Sequence, residues 1–163
     1  MGYTLIELLV VIAVAGILTS AIGAFLISNI MSFNTADNQI RAQQQAETAM
    51  NTMIKLMMGQ SNIITVKDGT GSTVTDSEVL NDISEITFTD GSISLLIVYD
   101  SENKELKYGT GTDADLIKAT SIEQLQFDPV ETSFESCNSL NIIVKSKKKD
   151  SEVILKNTIL FRN

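Results

Sequence analysis

Glu7 is the residue whose position most calls for a chemical explanation. It is the only charged side chain before Asp37, because residues 8–36 contain no Asp, Glu, Lys or Arg. A carboxylate held in lipid would cost several kcal/mol, so Glu7 must lie near the membrane interface or pair with a cation. The residues around it are compatible with both alternatives.

Groups suited to catalysis are scarce in the rest of the chain. The sequence contains no His, which excludes imidazole bases, His-dependent nucleophiles and most zinc sites. The single cysteine, Cys137, cannot form an intrachain disulfide, and we expect it to be buried. Residues 109–111 (Gly-Thr-Gly) are too short a match for a phosphate-binding loop. We therefore predict neither an enzyme nor a cofactor.

Two surface sites are weaker candidates. Acidic side chains could gather around calcium at Asp113, Asp115 and Asp128, but no calcium-loop pattern is present, so we favour solvated acids and predict no metal. A predicted hairpin tip before Asp150 carries Lys145, Lys147, Lys148 and Lys149. This tip could bind extracellular DNA or an acidic partner. The preferred interpretation is a solvated turn that protects a sheet edge from aggregation.

The charge of the chain is unevenly distributed. The 163 residues have a formal net charge of −8, and every charged residue except Glu7 lies within residues 37–163. The sequence thus divides into an apolar membrane-spanning segment, residues 3–32, and an acidic soluble domain, residues 33–163. An acidic domain is a poor general binder of nucleic acid.

A single long helix is predicted from Tyr3 to Met58, with Gly59 as its stop signal. Its apolar part exceeds the roughly 20 residues needed to cross a bilayer and is too long for a signal peptide. No proline interrupts it, because the only one is Pro129. The amphipathic half, residues 33–58, has apolar side chains at Ile40, Ala46, Ala49, Met50, Met53, Ile54 and Met57. Positions 46, 50, 53, 54 and 57 follow helical spacing, so we expect this face to pack on a core.

The remainder, residues 61–162, has the alternating pattern of β-strands. We predict seven strands: Ser61–Val66, Glu85–Thr89, Ser92–Asp100, Lys104–Tyr108, Ser121–Phe127, Ser139–Ser146 and Glu152–Phe161. Asp90-Gly91 indicates a hairpin turn, and apolar residues on both faces of 92–100 indicate a central strand. Residues 67–82 and 109–119 are predicted loops. Short connections favour an antiparallel meander packed on the amphipathic half of the helix, an α+β fold.

The run Gly2-Tyr-Thr-Leu-Ile-Glu-Leu-Leu-Val-Val-Ile-Ala13 closely resembles the class III signal of type IV pilins and of type II secretion pseudopilins. Tyr3 replaces the usual Phe, and only Met1-Gly2 stands where that family has a basic leader. The resemblance implies the pilin fold, with residues 1–2 as a residual leader. It also implies that a prepilin peptidase cuts between Gly2 and Tyr3 and methylates the new amine.

For Glu7, the nearest candidate cation is the amine of Tyr3, which is within reach in the same helix. The resemblance implies instead that the amine comes from a neighbouring subunit. Such a pair would let the subunit leave the bilayer for an apolar filament core. Residues 33–58 and 155–163 are similar to the matching parts of PilW-like minor pilins and of the minor pseudopilin J group. We therefore expect a minor pilin or pseudopilin of a type IV pilus or a related type II secretion or DNA-uptake filament. A major pilin is one alternative. A membrane-tethered binding or sensor domain that never polymerises is another.

The partners and location follow from the same resemblance. The implied partners are other pilin subunits, the prepilin peptidase and N-methyltransferase, the inner-membrane assembly platform and, before assembly, membrane lipid; DNA is a less favoured partner. The chain is expected first in the cytoplasmic membrane, which it spans once, and later in an extracellular or periplasmic filament.

Overall fold

The computed structural model describes residues 4–58, 62–74, 83–89, 94–111, 113–130, 134 and 137–161. The elements in chain order are α1 (Leu5–Met57), β1 (Asn62–Asp68), β2 (Ile83–Thr89), β3 (Ser94–Asp100), β4 (Glu105–Thr110), β5 (Asp113–Ala119), β6 (Ile122–Pro129), β7 (Ser139–Lys148) and β8 (Ser151–Leu160). The prediction of a long N-terminal helix followed by antiparallel β-structure, an α+β fold, is confirmed.

The chain divides into two compact units, the first ending at Asp37 and the second beginning at Asn38. The division into a membrane-spanning segment, residues 3–32, and a soluble domain, residues 33–163, stays a prediction.

The strands form two sheets in place of the one that was expected. β1 to β5 make a five-stranded sheet in sequence order, and β6, β7 and β8 make a three-stranded sheet, with every neighbouring pair antiparallel. The predicted central strand is β3, whose Leu95, Leu96, Ile97 and Tyr99 are all buried. Thr89 at the end of β2 lies opposite Ser94 at the start of β3. The hairpin turn predicted at Asp90-Gly91, between these two strands, lies outside the described residues.

Strand β5 corrects the prediction that residues 109–119 form a loop. It pairs with β4 over residues 113–119, with two irregularities in register. Its neighbouring residues Leu116 and Ile117 are 54% and 51% exposed, so both faces of the strand meet solvent. A strand without a buried face has no alternating pattern, which is why the sequence did not reveal it.

One face of α1 in the second unit joins the core. Its buried residues are Ala42, Ala46, Ala49, Met50, Met53 and Met57, which confirms the core role of the methionine series. Ile40, which lies outside the predicted spacing, has a side chain that is 53% exposed. Two residues along a helix turn it by roughly 200°, so a core face that includes Ala42 leaves Ile40 on the opposite side.

Several contacts connect the helix and the two sheets of the second unit. The rings of Phe88 and Phe161 lie 6.0 Å apart, centroid to centroid. The Tyr99 hydroxyl donates to the carbonyl of Ile122 at 2.8 Å. The backbone amide of Thr120 donates to Gln45 Oε1 on α1 at 2.9 Å. Cys137 is buried in the same core, as predicted.

Candidate functional site

The first turn of α1 holds the candidate assembly residue in a capping box. Thr4 lies just before the helix, and its backbone amide and hydroxyl donate to Glu7 Oε2 at 2.9 and 3.0 Å. The Glu7 amide donates in return to Thr4 Oγ1 at 3.4 Å. Reciprocal bonds of this kind satisfy amides that have no partner within the helix. They hold the Glu7 carboxylate at the positive end of the helix dipole.

Sequence analysis missed this capping box, although the spacing Thr-x-x-Glu over residues 4–7 is the usual signal for one. The two predicted processing residues, Gly2 and Tyr3, lie outside the described residues. The processing step, and the ion pair between Glu7 and the Tyr3 amine, therefore stay predictions.

An apolar surface follows Glu7 along the helix. The side chains of Leu8, Val11 and Ile12 are 59%, 65% and 63% exposed, and exposed Leu, Ile, Val, Phe and Met side chains continue to Phe33. The helix is long and apolar enough to cross a membrane. An apolar surface of this extent marks a site covered by lipid or by protein.

Three hydroxyl groups within this surface bond to their own helix. Thr19, Ser20 and Ser32 donate to the carbonyls of Ala15, Ile17 and Ser28 at 2.8, 2.8 and 3.0 Å. A hydroxyl that is bonded in this way costs much less to remove from water than a free one. The segment can therefore be surrounded by lipid or by other helices without leaving these hydroxyls unsatisfied.

The four lysines of the second candidate site differ in their surroundings. Lys145 Nζ pairs with Glu152 Oε1 at 2.9 Å, whereas Lys147, Lys148 and Lys149 are exposed. Lys149 has a φ of 53° at the turn between β7 and β8. The hairpin tip is thus a region of mixed charge near its base and a basic one at its end. Binding of DNA or of an acidic partner there stays a prediction.

A further acid near this hairpin is held in its charged form. Lys104 Nζ contacts Glu123 Oε1 at 2.6 Å. The hydrogen bond from Lys104 is the main cause that lowers the pKa of Glu123, and the charges of Lys147 and Lys145 act in the same direction.

The three aspartates of the weak calcium candidate lie on different sheets. Asp113 and Asp115 belong to β5, whereas Asp128 belongs to β6. Within the part of the chain that the structure describes, no group of three or more His, Cys, Asp or Glu side chains is placed to hold a metal.

Residues 2–23 match the prokaryotic N-terminal methylation motif, which is the prepilin-type signal. No curated protein and no solved structure matches the chain. The motif supports the type IV pilin-like family, whose members are structural subunits. It implies processing by a prepilin peptidase and assembly with other pilins. Together with the apolar helix, it supports membrane anchoring and a pilus-type extracellular filament.

Proposed function

We propose that this chain is a minor pilin or pseudopilin of a type IV pilus, or of a related type II secretion or DNA-uptake filament. In this proposal it is cut between Gly2 and Tyr3, methylated on the Tyr3 amine and assembled through α1. The observation that carries the proposal is the methylation motif over residues 2–23, within which the helix α1 begins at Leu5 and presents an exposed apolar surface.

The apolar surface supports two successive environments for the same helix. In water, exposed apolar area costs about 25 cal/mol per Å², so the segment from Leu5 to Phe33 must be covered. Lipid covers it before assembly, and the helices of neighbouring subunits cover it in the filament. The internally bonded hydroxyls allow both environments.

Pairing of the Glu7 carboxylate would favour transfer of the helix from lipid into the filament. An unpaired carboxylate is disfavoured in a filament core, whereas one paired with a subunit amine is tolerated. Hydrogen bonds from Thr4 already hold the Glu7 carboxylate at the first turn of α1. Cleavage before Tyr3 would create an amine adjacent to Thr4 in sequence, at the end of the chain where the carboxylate is held.

The choice of a minor subunit over a major one rests on similarity and composition. Residues 33–58 and 155–163 are similar to those of PilW-like minor pilins and the minor pseudopilin J group. Many major pilins have a C-terminal disulfide loop, which a chain with Cys137 as its only cysteine cannot form.

Two substitutions of Glu7 separate its charge from its capping role. Glu7→Val removes both, whereas Glu7→Gln removes the charge but keeps an acceptor that serves equally well in a capping box. If the charge pairs with a subunit amine, both variants should lose about tenfold or more in recovery with sheared filaments, since breaking such a pair costs a few kcal/mol. Membrane insertion and cleavage should persist in both.

The measurement compares co-purification with sheared filaments and pairwise crosslinking to other pilins, in cells that carry the assembly machinery. Filament recovery of Glu7→Gln at the wild-type level, with loss only in Glu7→Val, would reduce Glu7 to a helix cap. Unchanged recovery of both variants would refute the Glu7 mechanism. Absence of the wild-type chain itself from sheared filaments would favour the tethered binding or sensor domain.

A further inference from the structure

Strand β8 is an edge of the three-stranded sheet. It pairs with β7 over ten residue pairs, from Lys148 opposite Ser151 to Ser139 opposite Leu160. No strand pairs with its other side in the described ranges of the chain. A long edge strand presents unpaired amides and carbonyls to any strand that can align with it.

The side chains of β8 alternate between the core and solvent. Val153 and Leu155 pack against the hydrophobic core. Glu152, Ile154 and Lys156 share the opposite face, because alternate residues of a strand point the same way. All three are exposed, and Ile154 is 52% exposed. The outer face of the edge thus carries an acidic, an apolar and a basic side chain in that order.

This order is complementary to itself in an antiparallel alignment. With Ile154 opposite Ile154 of a second copy, Glu152 of each copy lies opposite Lys156 of the other. On the inner face, Val153 lies opposite Leu155 and extends the apolar surface. Opposite charges placed directly across a strand pair are stabilising, and like charges are destabilising. Centring the pair on Glu152 or on Lys156 would place like charges opposite each other.

We propose that β8 is a homodimer interface, in which two copies align antiparallel about Ile154 and join their three-stranded sheets into one of six strands. The contact is isologous, since each copy contributes the same strand to a two-fold axis perpendicular to the sheet. The second copy is the proposed occupant because a strand that satisfies both charged pairs must present a basic, an apolar and an acidic side chain in the reverse order, and β8 itself does so.

The existing ion pair of Glu152 does not prevent this contact. Lys145 and Glu152 keep 32% and 38% of their side-chain surface exposed, and exposed pairs of this kind contribute little. In the dimer, Glu152 would lie between Lys145 of its own chain and Lys156 of the other. The interface uses no residue of the apolar helix segment, so it goes beyond the proposed filament function and is tested independently of it.

Cysteine crosslinking of the full chain in detergent micelles tests the register. Ile154→Cys places two thiols directly opposite each other at the two-fold axis. The matched control, Thr158→Cys, is also an exposed substitution on the outer face of β8. In this register its two copies lie eight residues apart along the strands, about 26 Å. The wild-type chain gives the background from buried Cys137.

We expect a short bifunctional maleimide to crosslink Ile154→Cys at least about tenfold more than Thr158→Cys. Equal crosslinking of the two variants, or none for Ile154→Cys, would overturn the proposal. So would crosslinking of the Ile154→Cys chain in native membranes to a different protein alone, which would make β8 a docking edge for another partner.

A charge test measures the affinity of the contact. Lys156→Glu places two Glu–Glu pairs across the interface and should raise the dimer Kd about tenfold, since each cross-strand pair is worth up to about 1 kcal/mol. Lys55→Glu makes the same charge change on an exposed position of α1 and should leave the Kd within about twofold. Equal effects of the two variants would contradict the proposal.

Mixing Lys156→Glu chains with Glu152→Lys chains tests complementarity itself. In the mixed dimer, the two substituted positions face each other and again carry opposite charges, and the second cross-strand pair is unchanged. The mixed dimer should exceed either homodimer by about tenfold, measured with differently labelled chains. A ratio of mixed dimers to homodimers equal to that of random association would refute the antiparallel register.

Discussion

Met53→Ala should destabilise the second unit by removing a side chain that the core encloses completely. Met53 is 0% exposed and belongs to the cluster in which α1 meets buried strand residues such as Ile86 and Phe88. Met50 and Met57, the nearest methionines on the same helix face, are 5% and 0% exposed. The substitution keeps helix propensity high, so a loss of stability reports packing.

The size of the effect follows from the atoms that are removed. Truncating a buried Met to Ala costs about 2–5 kcal/mol from lost transfer energy and the remaining cavity. Flexible neighbouring methionines can partly fill the cavity, so the lower part of this range, about 2–3 kcal/mol, is expected. With a urea m-value of about 1.5 kcal/mol per molar, the unfolding midpoint should fall by about 1.3–2 M.

Cys137 supplies the assay, because it is the only thiol and is buried in the same core. Pulse labelling of the full chain in micelles across a urea series reports the midpoint. Asn51→Ala, at an exposed position two residues away on α1, is the control and should change stability by no more than about 0.5 kcal/mol. Equal midpoints for Met53→Ala and Asn51→Ala would refute the packing argument.

Three further outcomes are expected. Asn38–Asn163 expressed alone should fold, and a chelator should leave its Tm unchanged; a large drop would indicate a metal. Hydrogen bonds from Asn103, and then Lys107, hold the pKa of Asp100 well below its ordinary value of 3.8. Its stabilisation is therefore present above that pH and lost as the pH falls, so Asp100→Asn should flatten the acid side of a stability–pH profile; an unchanged profile would contradict this. Lys149→Val should cost about 1–2 kcal/mol in urea unfolding because its φ is 53°, whereas Lys149→Asn should be tolerated; equal stabilities would show no strain.

Elements with a buried face could be predicted from the sequence. The spacing of Met50, Met53 and Met57 indicated a packed helix face, and each of the three is buried. The alternation in β7 and β8 likewise reflects one face on the core. Strand β5 was missed because Leu116 and Ile117 are exposed on opposite faces. Burial of one face is what produces a period in the sequence, and β5 lacks it.

The candidate sites were predictable to a different degree. Glu7 was found because a lone charge next to an apolar segment is conspicuous, and the methylation motif matches over the same residues. Its bonds to Thr4 could have been predicted from their spacing. The complementary order of Glu152, Ile154 and Lys156 indicates an interface only because β8 lies at a sheet edge. Which strand ends a sheet depends on tertiary pairing, which local patterns do not encode.

Mass spectrometry of the N-terminus tests the central claim most directly. The chain should be expressed from its native locus, with its prepilin peptidase, and recovered from membranes and sheared filaments. The filament proposal predicts a mature chain that begins at Tyr3 and carries one methyl group on its α-amine. An uncleaved, unmethylated N-terminus in both fractions would contradict it and would leave α1 as a simple membrane anchor.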